Sequence, residues 1–139
     1  DSIDPFLHDP EKGVFILCRT SNPSAEDFQN ILSDDSTLFE KVAMWANRLN
    51  DKNNVGLVVG ATAPEELTRI REISPDLSML IPGVGAQGGD LEHSVKVGNQ
   101  SGVGLINISR GISFAGDMSE KAIRSATVEY VNKMRNCIT

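Results

Sequence analysis

Ile81-Pro82-Gly83-Val84-Gly85-Ala86-Gln87-Gly88-Gly89-Asp90 links one apolar run to a helical pattern, and Asn107-Ile108-Ser109-Arg110-Gly111-Ile112 ends the next apolar run. Backbone N–H groups in a glycine-rich loop after a strand can approach an anion closely, because glycine has no side chain and tolerates positive φ. Tight turns share that composition, so the loop alone is a weak signal. Arg110, at a strand's C-terminal end, can offer a planar, permanently charged fork to a phosphate, with Gly111 adding a backbone N–H. A solvated loop arginine is the plainer reading of that segment by itself. Together, two consecutive strands ending in these loops match the phosphate site of a (β/α)8 barrel, which is built from the loops after the last two strands. The pair points to a barrel and a phosphorylated ligand.

The rest of the chain supplies the frame. Four short apolar runs, Gly13–Cys18, Val55–Val59, Ser78–Ile81 and Val103–Ile108, are continuous rather than alternating, as expected for parallel strands covered on both faces. Between them lie helical patterns. Leu38, Phe39, Val42, Trp45 and Leu49 recur at helical spacing after a Thr37-x-x-Glu40 capping box, in a helix expected to end near Asn53-Asn54. A second box, Thr62-x-x-Glu65 with Pro64 in the first turn, opens a helix presenting Leu67, Ile70 and Ile73, which Pro75 stops. A third helix is expected from Asp90 to Gly98, with Leu91 and Val95 inward. The last opens near Asp117 and turns Ile123, Ala126, Tyr130, Val131 and Met134 inward, while Pro5-Phe6-Leu7 reads as the remnant of a preceding helix. This β-α-β-α-β-α-β-α order demands parallel strands with right-handed crossovers, leaving an open doubly wound sheet or a barrel.

Composition narrows the partners. The 139 residues, 40% of them hydrophobic, are enough for one globular core. Nineteen acidic against thirteen basic residues give a net charge of −6 with no Lys/Arg cluster, which argues against nucleic acid. No stretch approaches the roughly 20 apolar residues needed to cross a bilayer, and Asp1-Ser2-Ile3-Asp4-Pro5 has no signal-peptide pattern, so a soluble, cytoplasmic protein without membrane contact is expected. Cys18 and Cys137 are too far apart in sequence to suggest a disulfide framework or a metal knuckle, and His8 and His93 have no partners at ligand spacing. No metal is therefore expected. Met44 and Trp45 read as helix packing.

A further segment, Cys18-Arg19-Thr20-Ser21-Asn22-Pro23, again falls at a strand end, where hydroxyl and amide groups can read a polar ring edge; a turn ending at Pro23 is an equally good local reading. In order and spacing, the three segments resemble orotidine 5′-phosphate decarboxylases. The resemblance runs from Asp1 to about Ala115 and includes Val58-Val59-Gly60-Ala61-Thr62, similar to the family's sixth strand. It implies that the chain is a single unit forming the C-terminal half of a TIM (β/α)8 barrel, four parallel β-α units supplying strands five to eight. It also implies that Ser21 hydrogen-bonds the pyrimidine, that Gln87 bridges pyrimidine and phosphate, and that Arg110 with the Gly111 amide binds the phosphate. Gln87 lies on the loop expected to move, with Gly85, Gly88 and Gly89 as candidate hinges.

The departure from the family is as informative as the match. Its alternating lysines and aspartates, in a Lys…Asp-x-Lys-x-x-Asp arrangement, belong to strands two and three and do not occur here. No catalytic residue is therefore expected in this chain, and the isolated chain is expected to be inactive. The resemblance implies a lyase of pyrimidine biosynthesis, acting on orotidine 5′-monophosphate (OMP) to give uridine 5′-monophosphate (UMP) and CO2 without any cofactor. The expected partners are that nucleotide and either a second copy of the chain, as in a dimer, or a missing N-terminal half-barrel. A non-catalytic half-barrel that binds phosphorylated ligands or serves as an assembly partner is the alternative.

Overall fold

The computed structural model describes residues 2–85 and 87–138. Asp1, where the resemblance begins, Ala86 of the glycine-rich loop, and Thr139 lie outside the described residues. A short helix, α1 (Asp4–Leu7), precedes β1 (Val14–Arg19). A 3-10 turn (Pro23–Ala25) runs into α2 (Glu26–Gln29), and a small antiparallel hairpin of β2 (Leu32–Ser33) and β3 (Ser36–Thr37) leads to α3 (Leu38–Leu49). Next come β4 (Val55–Val59), α4 (Pro64–Ile73), β5 (Ser78–Pro82), α5 (Leu91–Gly98) and β6 (Gly104–Asn107), followed by α6 (Arg110–Ser113) and α7 (Glu120–Ile138).

The four main strands form one parallel sheet in the order β1-β4-β5-β6, with Leu17 opposite Val58 and Leu80 opposite Leu105. That order rises monotonically along the chain, whereas a doubly wound sheet reverses at a switch point and carries helices on both faces. Here one face bears the helices and the other is bare, which is the wall of a half-barrel built from four β-α units. The expectation of strands covered on both faces is thereby corrected for β1 and β6. Phe15 and Leu17 are 43% and 58% exposed and Leu105 is 46% exposed, because they point to the side a second half-barrel would fill. On the helix side, Leu57, Val59, Met79 and Ile81 are fully buried against Phe39, Ala43 and Ala46 of α3 and Leu67 and Ile70 of α4.

Local chemistry explains the helix limits. Thr37 accepts from the Glu40 N–H while the Glu40 carboxylate accepts from the Thr37 N–H at 2.8 Å, so the first capping box forms. That helix stops at Leu49, short of Asn53-Asn54, because Asn50 turns out of helical geometry and its side chain accepts from the Val55 N–H at 2.9 Å. The second box does not form. Ala63, which has no polar side chain, is the N-cap of α4, so Thr62 stands one residue too early to cap it, and its hydroxyl donates to the Ser21 carbonyl at 3.3 Å. Pro64 does occupy the first turn. Asp90 caps α5 through the His93 N–H, and Gly98 closes it. The final helix begins at Glu120 rather than near Asp117, whose carboxylate accepts from the Ser119 N–H just ahead of it. Arg71, 2% exposed, holds the lower end of this layer by donating to the carbonyls of Ser74, Pro75, Leu77, Val97 and Gly98. No described helix is long and apolar enough to cross a membrane.

Candidate phosphate and pyrimidine site

All the singled-out segments gather at the C-terminal ends of the strands. β5 ends at Pro82 and enters a compact loop with Gly83, Gly85 and Gly88 at φ of 101°, 82° and 81°, a region that L side chains rarely adopt. The loop folds back on itself through Gly88 N–H to Gly85 O at 2.8 Å and Gly89 N–H to Gly83 O at 3.1 Å. A Cβ on Gly89 would stand 2.5 Å from that of Ala61, so this glycine serves close packing against the end of β4, whereas nothing lies within 4 Å of a Cβ on Gly88.

A cleft opens between this loop and the end of β6, lined by Pro82, Gly83, Val84, Gln87, Asn107, Ser109 and Arg110. Arg110 is the only charged residue among the described residues of that lining, and a guanidinium beside backbone amides and small polar groups is suited to an anion. Gly111 follows it in α6, where the Ile112 and Ser113 N–H groups turn back to the Ser109 carbonyl. The short helix at Arg110 leaves no sequence signal, as four residues are too few to show a period. Ser21 lies beyond the lining yet reaches it, its hydroxyl donating to Gln87 Oε1 at 2.8 Å. The structure thus brings Ser21, Gln87 and Arg110 to one opening, with Gly111 directly behind.

What holds Ser21 there was not legible in the sequence. The register slips between Leu17 and Arg19, a bulge that buries both Cys18 and Arg19 and redirects the end of β1. Arg19, 5% exposed, pairs with Glu66 on α4 at 3.0 Å and donates to the Thr20 carbonyl and to Gln29 Oε1. Gln29 in turn accepts from the Thr20 N–H at 3.0 Å. Partners 10 and 47 residues away leave no local signal. Asn107 and Ser109, hydrogen-bonded to each other at 2.9 Å, also line the cleft, and no spacing or motif marks them for it in the sequence.

Neither a lysine nor a carboxylate is found among the described residues lining the cleft. Lys12, Lys41, Lys96 and Lys133 are paired with carboxylates elsewhere. Burial pushes the Cys18 thiol up to about 12, and its S–H donates to the Phe39 carbonyl, so it is no nucleophile. His93 packs between helices, its Nε2 3.0 Å from both the Thr68 hydroxyl and the Pro64 carbonyl. Among the described residues no group of three or more His, Cys, Asp or Glu side chains could hold a metal ion.

The orotidine 5′-phosphate decarboxylase / HUMPS family model matches residues 1–125. The orotidine 5′-phosphate decarboxylase of Halorubrum lacusprofundi is 53% identical over 134 residues, which cover 91% of this chain and 49% of that protein. Its counterpart from Cupriavidus taiwanensis is 44% identical over 144 residues, covering 98% and 53%. The chain therefore spans about half the length of the curated relatives it matches. Among solved structures, the OMP decarboxylase of Leishmania donovani superposes with a TM-score of 0.85 at 38% identity, covering 99% of this chain and 52% of that one. The UMP synthase of the same organism gives 0.82 at 45% identity, covering 97% and 31%. With a family model spanning most of its length, the chain belongs to the orotidine 5′-phosphate decarboxylase / HUMPS family.

Proposed function

We propose that this chain is the substrate-gripping half, strands five to eight, of a barrel that converts orotidine 5′-monophosphate to uridine 5′-monophosphate and CO2. The observation that carries this is the convergence of Gln87 and Arg110 on one cleft at the strand ends, with Ser21 hydrogen-bonded to Gln87. In this reading Arg110 and the Gly111 amide hold the phosphate, Ser21 reads the pyrimidine edge, and Gln87 spans the two. Gly85 and Gly88 let the loop close over the nucleotide. Binding energy spent at the remote phosphate fixes the ring where the chemistry happens.

The chemistry itself belongs to the other half. When the carboxylate leaves as CO2, its bonding electron pair stays on the ring carbon, and that carbanion must be stabilised and protonated. An ammonium can do both, and the family's lysines and aspartates on strands two and three would supply it along with the carboxylates near the departing group. The chain alone should therefore show no turnover of orotidine 5′-monophosphate, and turnover should appear when an N-terminal half carrying those residues is supplied. Decarboxylation by the purified 139-residue chain would overturn the division of labour.

A further inference from the structure

Tyr130 of helix α7 reaches both the Gly85 turn and the Gly111 backbone. Tyr130 is half-buried against the core. A Cβ built on Gly85 would lie 2.9 Å from the Tyr130 hydroxyl oxygen, and one built on Gly111 would lie 2.7 Å from it. Ile108, 8% exposed, backs the same spot, its Cγ2 3.2 Å from the Gly111 position and 3.9 Å from that of Gly85. The direction in which a side chain would leave each glycine is thus the direction from which Tyr130 arrives. The cleft lining includes neither glycine nor the tyrosine, so the hydroxyl meets the loops from behind the site. One loop carries Gln87 and the other carries Arg110.

We propose that Tyr130 is a positioning residue for the phosphate site, its hydroxyl setting the spacing between the Gly85 turn and the Gly111 backbone and so the separation of Gln87 from Arg110. The proposal rests on the reading of the cleft as a phosphate site. It also gives a reason for glycine at 111 and adds one at 85, where φ is already 82°: a methyl group at either position would crowd the same oxygen. A misplacement of about 1 Å remote from the chemistry can cost about 10²-fold, and a hydroxyl-sized shift of two loops should cost about tenfold.

The test uses the complete barrel, with this chain joined to its N-terminal strands. It measures kcat and KM for substrate with and without the phosphate in Tyr130→Phe, Tyr130→Ala, Gly111→Ala and the Gly111→Ala/Tyr130→Phe double variant, beside Arg110→Ala. Tyr130→Ala should lower kcat/KM about tenfold for the phosphate-bearing substrate, through KM, and leave the truncated substrate untouched; Tyr130→Phe should show a smaller loss of the same kind. Gly111→Ala should be damaging alone and partly rescued by Tyr130→Phe, since the methyl then takes the space of the missing hydroxyl. If Tyr130→Ala does not fold, the Gly111→Ala/Tyr130→Phe cycle decides. Equal losses on both substrates, or no rescue in the double variant, overturns the proposal while a phosphate-selective Arg110→Ala leaves the reading of the cleft standing. An Arg110→Ala variant that harms both substrates equally removes that reading, and the proposal with it.

Discussion

Arg110→Ala in the complete barrel probes the phosphate assignment most directly. Arg110 is the only charged residue among the described lining of the cleft, so a bound phosphate finds its side-chain countercharge there. Two charge-assisted hydrogen bonds at about 1.5–3 kcal/mol each give a ceiling of about 3–6 kcal/mol. Arg110 is itself exposed, and water competes for both partners. That lowers the expectation to about 2–4 kcal/mol, or about 30- to 1000-fold in kcat/KM. Gln87→Ala should cost less. Its Oε1 already accepts a 2.8 Å hydrogen bond from Ser21 before any ligand arrives, so ligand binding exchanges one bond for another. The net loss is then about 0.5–1 kcal/mol, under about tenfold. The assay is kcat/KM for parent and variants with orotidine 5′-monophosphate and with the nucleoside lacking the phosphate. Arg110→Ala should slow only the phosphate-bearing substrate. Equal damage to both substrates, or a greater loss in Gln87→Ala than in Arg110→Ala, would refute the reasoning.

Three further outcomes are expected. The chain by itself should associate or bind an apolar dye, because Phe15, Leu17 and Leu105 project from an open sheet face; sedimentation as a compact, dye-silent monomer would contradict this. Alkylation at pH 8 followed by peptide mapping should label Cys137 in the folded protein and Cys18 only after denaturation, since burial holds the Cys18 thiol at about 12; comparable native labelling of Cys18 would refute its burial. Glu40→Gln should cost about 0.5–1 kcal/mol at neutral pH, because glutamine can still close the capping box but lacks the charge favoured by the helix N-terminus and by Arg69. The Glu40 carboxyl is held below its ordinary range by the Thr37 N–H and then by Arg69, so its stabilisation is complete above the pH where an unfolded glutamate titrates and fades as pH falls through the lower folded value. The parent and variant should therefore converge in acid, and a gap that persists at the acid end of an unfolding series would count against the assignment.

How much could be read in advance depended on distance along the chain. The helices α3, α4 and α5 and the four parallel strands were legible because helical spacing and apolar runs are set by residues within one or two turns of each other. The Thr37–Glu40 box was correct for the same reason, and Thr62–Glu65 failed because the helix takes Ala63 as its N-cap, one residue past Thr62, whose hydroxyl is turned to the distant Ser21 carbonyl. The glycine-rich loop and Arg110 stood out from composition and position at strand ends. Barrel against doubly wound sheet could not be decided by local pattern, since both fold classes alternate strands and helices; the strand order and the bare face of β1 and β6 decided it. The Arg19–Glu66–Gln29 clamp and the approach of Tyr130 to Gly85 and Gly111 were likewise decided in three dimensions. The sequence by itself determined the alternating elements and the residue types offered to a ligand. Only the tertiary structure decided which of them meet, because contacts between residues distant in sequence depend on how the helices pack against the sheet, and no periodicity or local motif encodes that.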